Sequence, residues 1–234
     1  MSLQMDARSM VKLTRTSAYL GLYHKYGKRL LDLVVVALIL PLMLPVVVVV
    51  ALLVRMKLGA PVIFRQTRAG QAGRSFVLNK FRTMTDLRDE QGNLAVDELR
   101  LTTLGNFLRA SSFDELPGIW NVVRGDLSLV GPRPLLVEYL DRYSAEQAKR
   151  HDVKPGMTGL AQVMGRNSIS WDEKLAYDVQ YVREQSLFLD LRILWRTVFL
   201  VFQQAGISAD GHATMPAFQG TQPPPEKIER QYTA

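Results

Sequence analysis

The chain has 234 residues, 47% of them hydrophobic, with 29 Lys and Arg against 22 Asp and Glu for a formal charge of +7. That length and apolar content suit one domain with a real core and exclude a disordered chain. The absence of cysteine excludes disulfides, thiolate metal sites and a cysteine nucleophile, and the basic excess favours anionic partners: acidic lipid, phosphorylated ligands or nucleic acid.

Residues 1–24 are mixed and basic and read as an N-terminal arm or short surface helix. Residues 25–58 hold a membrane segment. Leu33 to Val54 is a run of about 22 residues without a formal charge, roughly 33 Å as a straight helix against a bilayer core of about 30 Å. It is too long for a signal peptide, and no small-residue cleavage site follows it. Pro41 and Pro45 interrupt it. Each removes an amide donor and clashes with the preceding turn, at about 3 kcal/mol in a helix interior. Lys25, Lys28 and Arg29 precede the run, and Arg55, Lys57, Arg65 and Arg68 follow it. The positive-inside rule puts both flanks on the cytoplasmic side. A re-entrant helix that enters, breaks at the prolines and returns satisfies both observations; a kinked spanning anchor is the alternative. Asp32 follows Arg29 by three residues, a spacing at which the two share a helix face and can pair; otherwise it is an interfacial carboxylate.

Residues 59–220 form one cytoplasmic domain at the membrane interface, and 221–234, with Pro223-Pro224-Pro225, a flexible tail. Val62-Ile63-Phe64 and Phe76-Val77-Leu78 flank the glycine-containing stretch Ala69 to Gly73, which predicts a small β-hairpin. Asp86 to Asn93 is charged and reads as an exposed loop, whereas Leu99–Ala110, Ala145–Lys149 and Trp171–Glu184 read as helical. From Asp190 to Gln204 an apolar stripe runs through Leu191, Leu194, Trp195, Val198, Phe199 and Phe202, with Arg192 and Arg196 off it. Such a helix either packs on the core or lies in the membrane interface. The fold class expected is α+β, mainly α, with a re-entrant membrane helix, interfacial amphipathic helices and a small β-hairpin. His24, His151 and His212 lack any ligand spacing.

The chemistry centres on Ser111-Ser112-Phe113-Asp114-Glu115-Leu116-Pro117. Ser112 and Glu115 have the spacing of a capping box, and by spacing alone capping is the stronger reading. The basic residues shift that balance. Lys80 and Arg82 lie in Asn79-Lys80-Phe81-Arg82-Thr83-Met84, Arg109 lies just upstream of the acids, Arg133 sits between Pro132 and Pro134, and Arg166 and Asn167 follow Gly165. Singly each is more often a surface charge; together with paired carboxylates and glycines they suit a diphosphate site. Two adjacent carboxylates about 4 Å apart repel by roughly 1 to 4 kcal/mol and also repel a phosphate. A Mg²⁺ on one removes the conflict, so one carboxylate attacks while the other holds metal.

The runs K-R-L-L-D (28–32), P-V-I-F-R-Q-T-R-A-G (61–70), N-K-F-R-T-M (79–84), F-D-E-L-P (113–117), N-V-V-R-G-D-L-S-L-V-G-P-R-P (121–134), K-P-G-M-T-G-L-A-Q-V-M-G-R-N (154–167) and L-D-L-R-I-L (189–194) resemble the bacterial sugar transferase family, the monotopic phosphoglycosyl transferases, from about residue 25 to 220. Chain length and the tail G-I-S-A-D-G-H-A-T (206–214) look like the small single-domain members, including those of N-glycosylation pathways. The resemblance implies a helix broken near Pro45 with both ends in the cytoplasm, at the bacterial inner membrane. It implies that Asp114 attacks the sugar-proximal phosphate of a UDP-sugar, of the N-acetylated bacillosamine type, releasing UMP and leaving a phosphosugar–Asp intermediate. Undecaprenyl phosphate, held among membrane lipid, then takes the phosphosugar, the first membrane step of glycoconjugate assembly. Glu115 resembles the family's Mg²⁺ ligand. Lys80 and Arg109 match positions near the phosphates, and Arg133 and Arg166 match basic positions facing nucleotide or phosphates. One departure stands out: Leu44 precedes Pro45 where relatives carry Ser, so no hydroxyl meets the carbonyl freed there.

Two readings from other classes stay open. A non-catalytic, membrane-anchored binding module would use the same basic patch, but has no need of paired carboxylates within it. A nucleic-acid binder would use the +7 charge, yet the sequence has no reader motif and carries a membrane segment, so no nucleic-acid partner is expected.

Overall fold

The computed structural model of the chain describes residues 21–165, 169–203 and 217–220. Most of the expected arm and all of the expected tail lie outside these residues. Helix begins at residue 21, passes through a π-helical turn at Tyr23–Gly27 and continues as α1, Lys28–Leu58. At 1.5 Å per residue the 31 residues of α1 make a rod of about 46 Å. Helical structure runs on through Pro41 and Pro45, so the expected break does not interrupt it.

One side of α1 docks on the rest of the protein along most of its length, with Ile39, Met43 and Val47 partly buried between its two buried ends. Lys28, Asp32 and Val36 are buried near one end, Val50 and Val54 near the other, and between them Leu38 and Leu42 are 71% and 79% exposed. Val36 joins a core with Val122, Leu129 and Tyr181; Val50 and Val54 join a second with Phe81 and Leu108. The expected Arg29–Asp32 pair does not form. Arg29 donates to the carbonyls of Val122 and Val123 at the end of α4 (defined below), where a cation suits the exposed carbonyls. Asp32 instead faces Lys28 one turn earlier (3.8 Å) and accepts the Ser128 hydroxyl and the Leu129 amide, each at 3.0 Å.

The expected hairpin is present and longer than its apolar runs suggested: β1 (Ile63–Ala69) pairs antiparallel with β2 (Ser75–Phe81). Period-two alternation puts Phe64, Gln66 and Arg68 on one face with Phe76, Leu78 and Lys80. Two short helices follow, α2 (Asp97–Arg100) and α3 (Thr103–Ala110), then a 3₁₀ turn at Phe113–Gly118 leading into α4 (Ile119–Arg124).

A second, parallel pair was not anticipated: β3 (Ser128–Val130) beside β4 (Gly156–Thr158), with α5 (Ala145–Ala148) between them in sequence. Just beyond it two glycines allow backbone to touch backbone, since a Cβ on Gly156 would sit 2.1 Å from the Gly131 nitrogen. After α6 (Leu160–Met164) come α7 (Trp171–Glu184), opened by a Ser170/Glu173 capping box, and α8 (Leu187–Gln203). The stripe on α8 divides. Ile193 is buried in the first core, with Leu189, Leu194 and Leu200 partly so, whereas Leu187, Phe188, Leu191, Trp195, Val198 and Phe199 stay exposed. The outward face keeps the composition of a membrane-interface helix.

Candidate active site

The acids of the F-D-E-L-P run are presented by an unusual turn. Thr102 caps α3 by accepting the Gly105 amide at 3.0 Å, and α3 ends at Ala110. Ser112 then adopts a left-handed backbone (φ 59°, ψ 18°), a conformation that costs a non-glycine residue roughly 1 kcal/mol or more. The capping box does not form. Ser112 makes no side-chain cap bond, because an N-cap residue needs an extended backbone and this one is left-handed. Glu115 turns to cations, which bind a carboxylate more strongly than a backbone amide does.

Glu115 Oε1 accepts Lys80 Nζ and Arg133 Nη2, each at 2.7 Å. Burial works to raise the Glu115 carboxyl, but the charges of Arg133 and Lys80 and their hydrogen bonds more than reverse it, holding it well below the usual carboxylate range. Asp114 behaves oppositely. Burial and the negative charge of Glu115 push its carboxyl up to about 6, against the partial opposition of Lys80, Arg133 and Arg109. Its side chain takes no hydrogen bond or ion pair from any of the described residues. One acid is thus clamped and permanently ionised; its neighbour is buried, unencumbered and still largely ionised at neutral pH.

The cations are themselves positioned. Lys80 comes from β2, whose edge is tied to α4 by Asn121: its Oδ1 accepts the Asn79 amide (3.2 Å) and Nδ2 (3.0 Å), and its own Nδ2 donates to Val77 O (2.7 Å). Arg109 donates from Nε to Thr83 Oγ1 at 3.2 Å. Arg133 stands between two prolines, and its carbonyl accepts Arg150 Nη2 at 2.6 Å. Arg150 is fixed in turn by Asp178 of α7, through Nε at 3.0 Å and Nη2 at 2.7 Å, in a pair almost wholly buried. Sequence reasoning missed Asn121, Arg150 and Asp178. No spacing signals a pair 28 residues apart.

Arg82 is engaged elsewhere. Its guanidinium donates to the carbonyls of Met84, Leu58 and Ala60 and to Asp86, fastening the end of α1 to the hairpin. Arg166 and Asn167 lie outside the described residues, and Pro41 and Pro45 sit on the exposed side of α1. Beside Lys80, Glu115 and Arg133 opens a cleft lined by Leu78, Leu127 and Met157 and by Arg68.

For a divalent cation the donors are all hard oxygens. Among the described residues no three or more His, Asp or Glu side chains converge, so a metal here would use one or two carboxylates. That is how Mg²⁺ is commonly held, with waters and substrate phosphates completing its shell. Both cations occupy Oε1 of Glu115, leaving Oε2 as its donor, with Asp114 adjacent. The residues present therefore fit Mg²⁺ in the company of a phosphate.

A helix long and apolar enough to cross a membrane, packed beside a cleft with paired acids and fixed cations, fits a membrane-associated enzyme. The sequence agrees: the family model described as bacterial sugar transferase matches residues 23–204, and the chain belongs to that family. It is similar to the "Uncharacterized sugar transferase EpsL" of Bacillus subtilis, at 51% identity over 83% of this chain and 96% of the relative. It is also similar to a UDP-glucose:undecaprenyl-phosphate glucose-1-phosphate transferase of Caulobacter vibrioides, at 42% over 73% of this chain and 68% of the relative. A UDP-galactose-lipid carrier transferase of Erwinia amylovora is 40% identical over 78% of this chain, which spans only 42% of that relative.

Proposed function

We propose that the chain is a phosphoglycosyl transferase that moves a sugar 1-phosphate from a UDP-sugar to undecaprenyl phosphate. The observation that carries this reading is the unequal pair: Asp114 buried and uncommitted beside Glu115, which is clamped by Lys80 and Arg133 and lines a cationic cleft. Sugar-phosphate transfer between a UDP-sugar and a lipid carrier is what the names of several relatives describe. A lipid-binding module would gain nothing from burying a raised carboxyl among its cations.

In the mechanism that this supports, an Asp114 carboxylate oxygen attacks the sugar-proximal phosphorus of the UDP-sugar. The bond to the bridging oxygen breaks, and UMP leaves with the electron pair. An oxygen of the polyprenyl phosphate then attacks the same phosphorus and expels Asp114 as a carboxylate. Lys80, Arg109 and Arg133 neutralise the charge that builds on the phosphoryl oxygens, the main task of a protein in phosphoryl transfer. Mg²⁺, held by Glu115, would supply further neutralisation of the diphosphate. Arg82 acts by positioning, since it fixes the hairpin that carries Lys80 against α1.

The packing of one face of α1 against the body of the protein, from Asp32 through Met43 and Val47 to Val54, supports a one-sided, monotopic insertion from the cytoplasmic face. A spanning rod would carry its ends to opposite sides of a core about 30 Å thick. The outward apolar face of α8 would then lie along the same surface.

The test is a half-reaction. The full chain, incubated with a UDP-sugar and no acceptor, is expected to release UMP and keep the sugar phosphate bound. Asp114→Asn loses the bound label and Asp126→Asn retains it. Labelling of Asp114→Asn would remove the covalent mechanism. UDP-glucose, UDP-galactose and the bacillosamine-type donor belong in one panel, since the relatives' names specify glucose and galactose.

A further inference from the structure

We propose that Arg68 is an anion-binding residue of the cleft, gripping the nucleotide-side phosphate that departs with UMP. The proposal rests on the phosphoglycosyl transfer reading and deepens it.

Arg68 lies on β1, on the sheet face that also carries Lys80. Lys80 is paired with Phe64, four residues before Arg68, so the two cations start roughly 13 Å apart along the strands and reach into one cleft from opposite ends. The Lys80 end holds Glu115, next to the nucleophile. The Arg68 end is therefore the place for the other phosphate of a bound diphosphate.

The surroundings of Arg68 leave it short of partners. Its Nη2 donates to Gln66 Oε1, a neutral amide on the same strand, and its Nε is buried with no hydrogen-bond partner among the described residues. No carboxylate among those residues forms an ion pair with it, whereas Arg133, which lines the same cleft, has Glu115. Burial and the neighbouring charge of Arg133 both push against the charged form of Arg68. Two guanidiniums on one cleft with a carboxylate for only one of them form an arrangement completed by an anion.

When the bond to the bridging oxygen breaks, negative charge grows on the departing phosphate, where a fixed guanidinium stabilises it best. The step transfers no proton: the electron pair stays on the UMP oxygen.

Calorimetry on the full chain in nanodiscs, with UMP and with uridine as ligands, tests this alongside UMP release from the UDP-sugar panel. Arg68→Gln is expected to weaken UMP by about ten- to hundredfold, the value of one charge-assisted hydrogen bond, and to leave uridine unchanged. Arg68→Lys should fall between. Equal weakening of UMP and uridine, or a melting temperature lowered with UMP affinity intact, makes Arg68 a structural residue and overturns the proposal. If Arg68→Gln does not fold, a native ratio of UMP to uridine affinity in Arg68→Lys overturns it as well. A native chain that releases UMP while the variants keep their UMP affinity refutes Arg68 alone; one that neither binds nor releases UMP refutes the transfer reading with it.

Discussion

At the seam between α1 and α8, Asp190 is fully buried and receives Lys28 Nζ at 2.7 Å, the Tyr181 hydroxyl at 2.7 Å and the Tyr23 hydroxyl. At the cleft Asp114 is only 8% exposed, yet no described residue donates to it. Asp190 belongs to a network in which both carboxylate oxygens are engaged, Oδ1 by the Tyr181 hydroxyl and Oδ2 by the Tyr23 hydroxyl and the charge of Lys28, and such networks rigidify a junction. Asp114 sits where the cations are in surplus and are committed to its neighbour, beside a left-handed Ser112. The difference separates an acid that holds the protein together from one kept available for a ligand. It also suggests that a local search for under-satisfied charge locates a site better than a search for burial.

The largest effect expected from this contrast is on turnover. Asp114→Asn keeps the shape and removes the attacking charge, and UMP release should fall by on the order of 10⁴-fold or more. A variant within tenfold of the native rate would show that the uncommitted acid is not the nucleophile.

Next in size is the effect of unpairing the seam. Lys28→Met leaves Asp190 buried without its cation, and stability should fall by about 3–5 kcal/mol, read from thermal or denaturant unfolding of the full chain in detergent. A loss under about 1 kcal/mol would mean that the two tyrosines suffice. The rate per folded molecule should stay near native, which is the mirror image of Asp114→Asn.

These two acids were unequally legible in the sequence. Asp114 announced itself through its neighbour and the nearby arginines, although local spacing favoured a cap that the left-handed Ser112 and the competing cations exclude. Asp190 appeared only as the start of an apolar stripe. Hairpin, α7 and α8 were readable because turn glycines and helical periodicity are local signals. The β3–β4 pair was not, since strands of three residues carry no period and meet through a long-range glycine contact. Arg150 and Asp178 find each other only in the folded chain. Arg82, grouped in the sequence with the candidate phosphate ligands, holds carbonyls in the fold, and Arg68, counted there as a charge on the membrane flank, lines the cleft.

The finest discrimination comes from pH, because burial and the charge of Glu115 make the ionised cleft acid carry a stability penalty. Asp114 has a folded value of about 6 against an ordinary 3.8, so the folded chain binds that proton more tightly than the unfolded chain does. Its contribution to stability therefore declines as pH rises from about 4 to 6 and stays depressed above, by at most about 3 kcal/mol. Asp114→Asn should accordingly be more stable than the native chain at pH 7.5, with the gain vanishing below pH 4. The same shift sets the rate. Without acceptor lipid, the UMP burst should hold steady above pH 7 and drop about tenfold per unit below 6, since only the carboxylate attacks. Glu115, held far below its usual range by Arg133 and Lys80, stays ionised throughout and adds no second limb. A burst that remained flat down to pH 4.5, together with an Asp114→Asn chain no more stable than native, would mean that Asp114 is solvated like any surface aspartate. The contrast between the two acids would then be one of partners and not of purpose.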